Sequence, residues 1–333
     1  MYLLPRPQQE ERYEGCYALR YNGYIVLEET SGVDGYPYMK QLQEVVAQET
    51  GLRLKLRQGS SKKADITLRV DASAQAQAYT LTVNQKGIWL SAGDSAGLLY
   101  GIQTLRQIFR QKGACIPCLK ISDYPCFPVR GLFYDVTRGR IPTLEYLKKL
   151  ADRMVCYKMN QLQLYIEHSF LFENLSEVWR DDTPLTAEDI LEFDRYCKAR
   201  NIELVPAIAS FGHLYKVLRT KSFRRLCERP ELADAPFGFV DRMNHHTLDV
   251  SNAESLCFVK GLIKEYMALF SSDKFNICAD ETFDLGKGRS HALAKEKGVH
   301  RLYVDFVKEL CSFLKEQNRQ PMFWGDIISE CPE

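Results

Sequence analysis

A chain of 333 residues is long enough for about two domains with sizeable buried cores, at roughly 150 residues each, which excludes a single small module. Forty-five per cent of the residues are apolar and 26% are charged, the usage of a globular protein rather than a disordered one. Forty-four Lys and Arg against 43 Asp and Glu leave a net charge of +1, so no whole-protein field holds nucleic acid or an anionic membrane, and the expected partner is small or neutral.

No window approaches the ~20 uninterrupted apolar residues of a membrane-spanning helix, and the first eleven residues lack the basic-then-apolar layout of a secretion signal. A cytoplasmic protein is expected. The 11 cysteines are an odd number in a chain far too long for a disulfide scaffold, so reduced thiols are the expectation. Cys115 and Cys118 form one Cys-x-x-Cys, but no second pair follows at zinc spacing. His245, His246 and His291 also lack carboxylate or thiol companions at ligand spacing. No metal and no cofactor are expected.

In chain order, residues 38–49 place Leu42, Val45 and Val46 at helical spacing, followed by strand-like runs at 52–56 and 65–70. Residues 79–83 and 87–92 alternate as two strands of a hairpin. Leu98, Ile102, Leu105, Ile108 and Phe109 then form the stripe of a helix that packs on the sheet. Together these predict a small α+β domain over residues 1–122. Two prolines within residues 122–128 mark a connector.

Beyond it, apolar strands alternate with amphipathic helices. Strands are predicted over 131–136, 161–166, 202–208, 274–279 and 321–325. The intervening helices carry Leu147, Leu150, Met154 and Val155; Ile190, Leu191, Tyr196 and Cys197 behind a capping box at Thr186 and Asp189; and Leu302, Phe306, Leu310 and Leu314. Repeated βα units predict a parallel sheet over residues 123–333, either doubly wound or a (β/α) barrel. No Gly-x-Gly-x-x-Gly or Walker loop follows any strand, so a nucleotide-binding fold has no support.

In a barrel, functional groups stand at the C-terminal ends of strands. Here those ends read Asp135 with Arg138, Glu167-His168, Gly212-His213, Asp280-Glu281 and Trp324-Gly325-Asp326. Each alone has a plain structural reading: Asp135 and Arg138 as an ion pair, His213 as a core histidine, Asp280 and Glu281 as the acidic first turn of a helix. Paired carboxylates repel, and a desolvated one is held protonated beside a permanent anion, which suits glycosidase acid/base work.

The motifs Arg130-Gly-Leu-Phe-Tyr-Asp135-Val-Thr-Arg138, Tyr157-Lys-Met-Asn160, Gly212-His213, Leu248-Asp249-Val-Ser-Asn252 and Phe275-Asn-Ile-Cys-Ala-Asp280-Glu281 together resemble the catalytic domain of the family 20 β-N-acetylhexosaminidases. Residues 96–105 and 121–125 similarly resemble the accessory α+β domain that precedes that barrel. The resemblance implies a retaining hydrolysis of terminal β-linked N-acetylglucosamine or N-acetylgalactosamine in which the substrate's own acetamido oxygen attacks the anomeric carbon. It implies Glu281 as general acid and base, Asp280 as the group that orients the acetamido N–H, and Arg138 gripping sugar hydroxyls. Trp324 is implied as an aromatic wall, His213 as a histidine standing behind the reacting groups, and Glu167 and Asp135 as polar groups of the site.

The chain departs from that pattern at three places. Asn276-Ile-Cys278-Ala279 stands where members commonly read His-x-Gly-Gly, Glu167-His168 replaces a pair of aspartates, and Gly139 follows Arg138 where histidine is frequent. Five of eight βα units are accounted for, so the barrel is expected to be truncated at its C-terminus. A sugar-binding fragment without turnover is the alternative function, and a barrel hydrolase acting on sugars without a 2-acetamido group is a third.

Overall fold

The computed structural model describes residues 1–28, 34–59, 63–235, 238 and 246–330. Two units are distinguished, Met1–Arg130 with Ala151–Asn160, and Gly131–Leu150 with Gln161–Glu333.

In the first unit, strands β1 (Gln9–Ala18), β2 (Tyr24–Leu27), β3 (Lys55–Gln58), β4 (Ala64–Val70), β5 (Tyr79–Asn84), β6 (Gly87–Ala92) and β7 (Cys115–Asp123) form one sheet in the order β1-β7-β5-β6-β4-β2-β3. The hairpin read from alternation is β5 with β6, antiparallel and closed by Gln85 and Lys86 between the paired Asn84 and Gly87. Helices α1 (Tyr36–Thr50) and α2 (Ser95–Lys112) cover the sheet. Asp94 caps α2 by accepting the Gly97 N–H, satisfying one of the donors a helix start leaves open. The stripe Leu98, Ile102, Leu105, Ile108 and Phe109 is fully buried, each side chain contributing about 1.5–3 kcal/mol of hydrophobic stabilisation. Gly101 lets α2 lie close on the sheet, since a Cβ there would stand 2.2 Å from the end of the Leu90 side chain on β6.

Three strands escape the sequence reading. β1 exposes every residue but Tyr17, so it carries no apolar period, and its place is set by pairing with β7. β2 is only four residues long. β7 runs on through Ser122 and Asp123, which pair with β5 and replace the start of the expected connector. The strand expected over 52–56 begins only at Lys55. Cys115 and Cys118 lie on β7 with Cys115 exposed and Cys118 buried, because residues three apart on a strand face opposite ways. Cys115 instead places its sulfur 2.9 Å from that of Cys16 on β1.

The second unit contains β8 (Gly131–Asp135), β9 (Gln161–Ile166), β10 (Glu203–Ile208), β11 (Lys274–Asn276) and β12 (Gln320–Met322), all parallel, in the order β12-β11-β10-β9-β8. Each strand in the sequence adds to the same edge, with no reversal of the kind that defines a doubly wound sheet. That progression is the one a (β/α) barrel follows, and it decides between the two architectures left open by the sequence. Helices α3 (Leu144–Cys156), α4 (Ser176–Trp179), α5 (Ala187–Lys198), α6 (Tyr215–Leu218), α7 (Ala253–Met267), α8 (His291–Lys297) and α9 (Val299–Glu316) lie between strands. Thr186 and Asp189 form the expected capping box of α5. Its buried residues are Ile190, Phe193 and Cys197, whereas Leu191, expected inside, is exposed. Among the described residues no helix is long and apolar enough to cross a membrane.

Within the first unit, Lys158 is buried with its Nζ 2.7 Å from Asp123 and 3.0 Å from the Tyr79 hydroxyl. Breaking a buried ion pair from one side strands the other charge, a loss of roughly 3–5 kcal/mol. Asp123→Asn is therefore expected to lower the urea-unfolding free energy by about that amount, and Asp123→Asn combined with Lys158→Met to recover most of it. A double variant as unstable as the single would refute this assignment.

Candidate active site

Residues 161, 163, 165 and 167 alternate onto one face of β9 and past its end. Gln161 donates to Glu203 (3.0 Å), Gln163 accepts from Asn276 (2.8 Å), and the Tyr165 hydroxyl donates to Glu167 (3.1 Å). The stripe is polar because neighbouring strands supply its partners, and it ends on the buried carboxylate of Glu167.

At the end of β8, the main-chain N–H groups of Thr137 and Arg138 both donate to Asp135 Oδ1 at 2.9 Å. The Arg138 Nε donates to Asp135 Oδ2 at 2.5 Å and lies 3.7 Å from Glu167 Oε1, with the guanidinium 5.5 Å from the centre of the Tyr165 ring. Asp135 and Arg138 are thus an ion pair, as the plain reading had it, and the pair also reaches Glu167. The Thr137 hydroxyl accepts from the Glu167 N–H at 2.9 Å and meets Ser169 Oγ at 2.7 Å.

The segment after β10 carries Gly212 and His213. A Cβ on Gly212 would stand 2.7 Å from the Asp280 carbonyl oxygen, so only glycine lets these two strand ends approach. His213 has a left-handed backbone (φ 59°) and a side chain only 2% exposed. Its Nε2 lies 3.3 Å from Asp280 Oδ2 and 3.4 Å from Glu281 Oε2, and its Nδ1 lies 4.0 Å from Glu167 Oε1.

The fourth strand was expected to run to Ala279 but stops at Asn276. Cys278, Ala279 and Glu281 have φ of 57°, 59° and 49°, left-handed conformations that cost a side-chain-bearing residue of order 1–3 kcal/mol each. Three hydrogen bonds hold the turn: Cys278 N–H to Asn276 Oδ1 (2.8 Å), Trp324 N–H to the Cys278 carbonyl (2.9 Å) and the Tyr303 hydroxyl to the Ala279 carbonyl (3.0 Å). No helix begins at Asp280 and Glu281, which removes the helix-start explanation for this acidic pair. Trp324 is 41% exposed and packs edge-on against Phe133, ring centres 5.0 Å apart. Asp326 accepts from the Glu281 N–H at 3.4 Å.

The electrostatics separate the two carboxylates. Burial pushes Asp280 up, but the hydrogen bond and charge of His213, then the charge of Arg138, outweigh it and hold Asp280 below the usual aspartate range. Glu281 is the more open of the two, with 39% of its side chain exposed against 24% for Asp280. An anchored anion beside an accessible carboxyl group, with an arginine fork and an indole on flanking strand ends, can bind a polyhydroxylated ring and move a proton at one of its oxygens.

All seven residues singled out from the sequence, Asp135, Arg138, Glu167, His213, Asp280, Glu281 and Trp324, therefore stand on five strand ends of one unit. Sequence reasoning placed Phe133, Thr137 and Gly212 inside motifs without giving them a role, and missed Tyr165, whose signal is an aromatic residue in the alternating polar stripe. Among the described residues no three His, Cys, Asp or Glu side chains are placed to hold a metal ion; His245 lies outside the described residues.

Residues 127–332 match the family model of the glycosyl hydrolase family 20 catalytic domain, and residues 1–124 match that of glycosyl hydrolase family 20, domain 2. The chain belongs to glycosyl hydrolase family 20. It is 32% identical over 183 residues to a beta-hexosaminidase of Akkermansia muciniphila, a match covering 48% of this chain and 37% of that protein. A beta-hexosaminidase of Vibrio furnissii is 27% identical over 92% of this chain and 53% of its own length, and a lacto-N-biosidase of Bifidobacterium bifidum 24% identical over 84% and 25%. The chain thus spans about a quarter to a half of these curated relatives. In fold it is similar to a beta-N-acetylhexosaminidase from Bacteroides fragilis (TM-score 0.79, 22% identity, 98% of this chain and 67% of that one). A Streptomyces plicatus N-acetyl-beta-hexosaminidase gives TM-score 0.79 at 21% identity, over 98% and 66%. These family 20 structures place the parallel sheet in a TIM-type barrel, five strands of which lie among the described residues.

Two outcomes follow for the site. Gly212→Ala is expected to destabilise the chain by about 1–3 kcal/mol through enforced backbone movement, read from urea unfolding; wild-type stability would contradict the close approach. In a carboxyl-carbon NMR titration Asp280 is expected to ionise below 3.8, the ordinary aspartate value. In His213→Gln, where burial acts with less opposition, it should titrate higher. The stability supplied by the depressed group is present above the unfolded-state value and is lost as pH falls through the folded one. An unmoved Asp280 titration in His213→Gln would refute the stated cause.

Proposed function

We propose that this chain carries the acid/base centre of a retaining, substrate-assisted hydrolase that removes terminal non-reducing β-linked N-acetylglucosamine or N-acetylgalactosamine. The observation that carries the reading is the single buried imidazole of His213 within 3.4 Å of both Asp280 and Glu281, at the end of a barrel strand. In support, the Streptomyces plicatus structures of the same fold are described as complexes with thio-NAglucal and with GlcNAc as product.

In the first step the substrate's acetamido oxygen forms a bond to the anomeric carbon as the glycosidic C–O bond breaks, and Glu281 gives its proton to the departing oxygen. Asp280, held anionic, accepts the acetamido N–H, which turns the oxygen toward the anomeric carbon and offsets the positive charge of the oxazolinium intermediate. In the second step Glu281 takes a proton from water as the water oxygen attacks the anomeric carbon and reopens the ring. Two inversions give net retention. Arg138 presents its fork of donors to neighbouring hydroxyls, and Trp324 lines the acetamido group.

The alternative is a chain that binds the sugar without turning it over. Hydrolysis of nitrophenyl N-acetylglucosaminide separates the two. Turnover that falls in Glu281→Gln by the roughly 10²–10⁴-fold of a lost general acid supports the hydrolase. Turnover that is unchanged in Glu281→Gln overturns it, and N-acetylglucosamine binding without any turnover supports the alternative.

A further inference from the structure

Behind His213 stands a second histidine that the hydrolysis does not use. His246 is fully buried, and its Nδ1 accepts the main-chain N–H of His213 at 2.9 Å. The rings meet edge-on with centres 5.0 Å apart. Two main-chain bonds flank this contact, Leu214 N–H to the His246 carbonyl (3.0 Å) and Leu248 N–H to the Phe211 carbonyl (3.1 Å). The turn that holds His213 in its left-handed conformation is therefore gripped from one side by residues 246–248.

An Nδ1 that accepts a hydrogen bond carries no proton, so the neutral ring has its hydrogen on Nε2. That nitrogen lies 3.7 Å from Asp284 Oδ1. Asp284 is 1% exposed and accepts from the N–H (3.2 Å) and the hydroxyl of Thr247, the residue next to His246. It follows Asp280 by four residues, on the same segment as the reacting pair. The segment after β10 and the segment after β11 thus approach twice, at His213 with Asp280 and Glu281 on the open side and through the Thr247 bonds to Asp284 behind.

We propose that His246 is a positioning residue that fixes the backbone of His213 and through it the aim of the His213 ring at Asp280 and Glu281. A left-handed residue persists only where its surroundings over-determine it, and His246 is the side chain that takes the one main-chain donor at that position. The consequence for catalysis rests on the proposed hydrolysis; the positioning itself does not.

The test is the set of ring ¹⁵N signals of His213 in the sugar-free full chain at neutral pH, assigned with His213→Gln. In His246→Asn the side-chain oxygen stands near the lost Nδ1 and accepts the same N–H; in His246→Gln the oxygen is carried one bond further and does not. His246→Asn is expected to keep the wild-type His213 signals, and His246→Gln to shift them or split them between tautomers, with near-ultraviolet circular dichroism of both variants native. Wild-type His213 signals in His246→Gln, or signals lost equally in both variants, would overturn the proposal. Because no sugar is present, failure of the hydrolysis assay with these spectra as expected faults the reaction and leaves the positioning role standing.

Discussion

Two adjacent carboxylates at the end of a strand repel by about 4 kcal/mol at 4 Å in the effective dielectric of a protein surface, and the second unit answers this with one buried imidazole. His213 lies 3.3 Å from Asp280 and 3.4 Å from Glu281 and is almost wholly removed from water. One ring nitrogen close to both lets Asp280 remain an anchored anion while Glu281 is the more open to solvent. The surroundings serve that arrangement: Glu167 faces the far nitrogen of the ring, Arg138 bridges Glu167 and Asp135, and Gly212 lets the two strand ends close to contact distance.

Bringing Asp280 and Glu281 to one ring costs backbone strain. Cys278, Ala279, Glu281 and His213 all sit at positive φ, a conformation glycine adopts without penalty. The family pattern commonly has glycines where this chain has Cys278 and Ala279, and here Asn276, Trp324 and Tyr303 hold the same turn by hydrogen bonds. Asn276 replaces a histidine of that pattern and bridges Gln163 to the Cys278 N–H. The departure is therefore compensated locally.

Much of this is legible in the sequence. Amphipathic period and apolar runs located α2, α9 and the five parallel strands, and the rule that barrels keep function at strand ends brought Asp135, Arg138, Glu167, His213, Asp280, Glu281 and Trp324 into one list. What escaped has a common cause, in that its signal lies in pairing and not in local pattern. β1 has no apolar alternation and exists through its ladder to β7. Cys115 has its meaning from Cys16, almost a hundred residues away, not from Cys118. The early end of β11 lies in the left-handed backbone of Cys278 and Ala279, held by bonds to Trp324 and Tyr303 that no run of six residues encodes. His246 looked unaccompanied because Asp284, its neighbour in space, lies 38 positions along the chain.

The proposed role of Asp280, ionised and facing His213, is to receive the acetamido group of an N-acetylhexosamine. The most direct measurement is a titration of the full chain with N-acetylglucosamine, and separately with glucose, followed at the Asp280 carboxyl carbon and the His213 ring nitrogens. Saturable shifts at both residues with N-acetylglucosamine and none with glucose are the result expected. Equal shifts with the two sugars, or none at Asp280 with either, would contradict it.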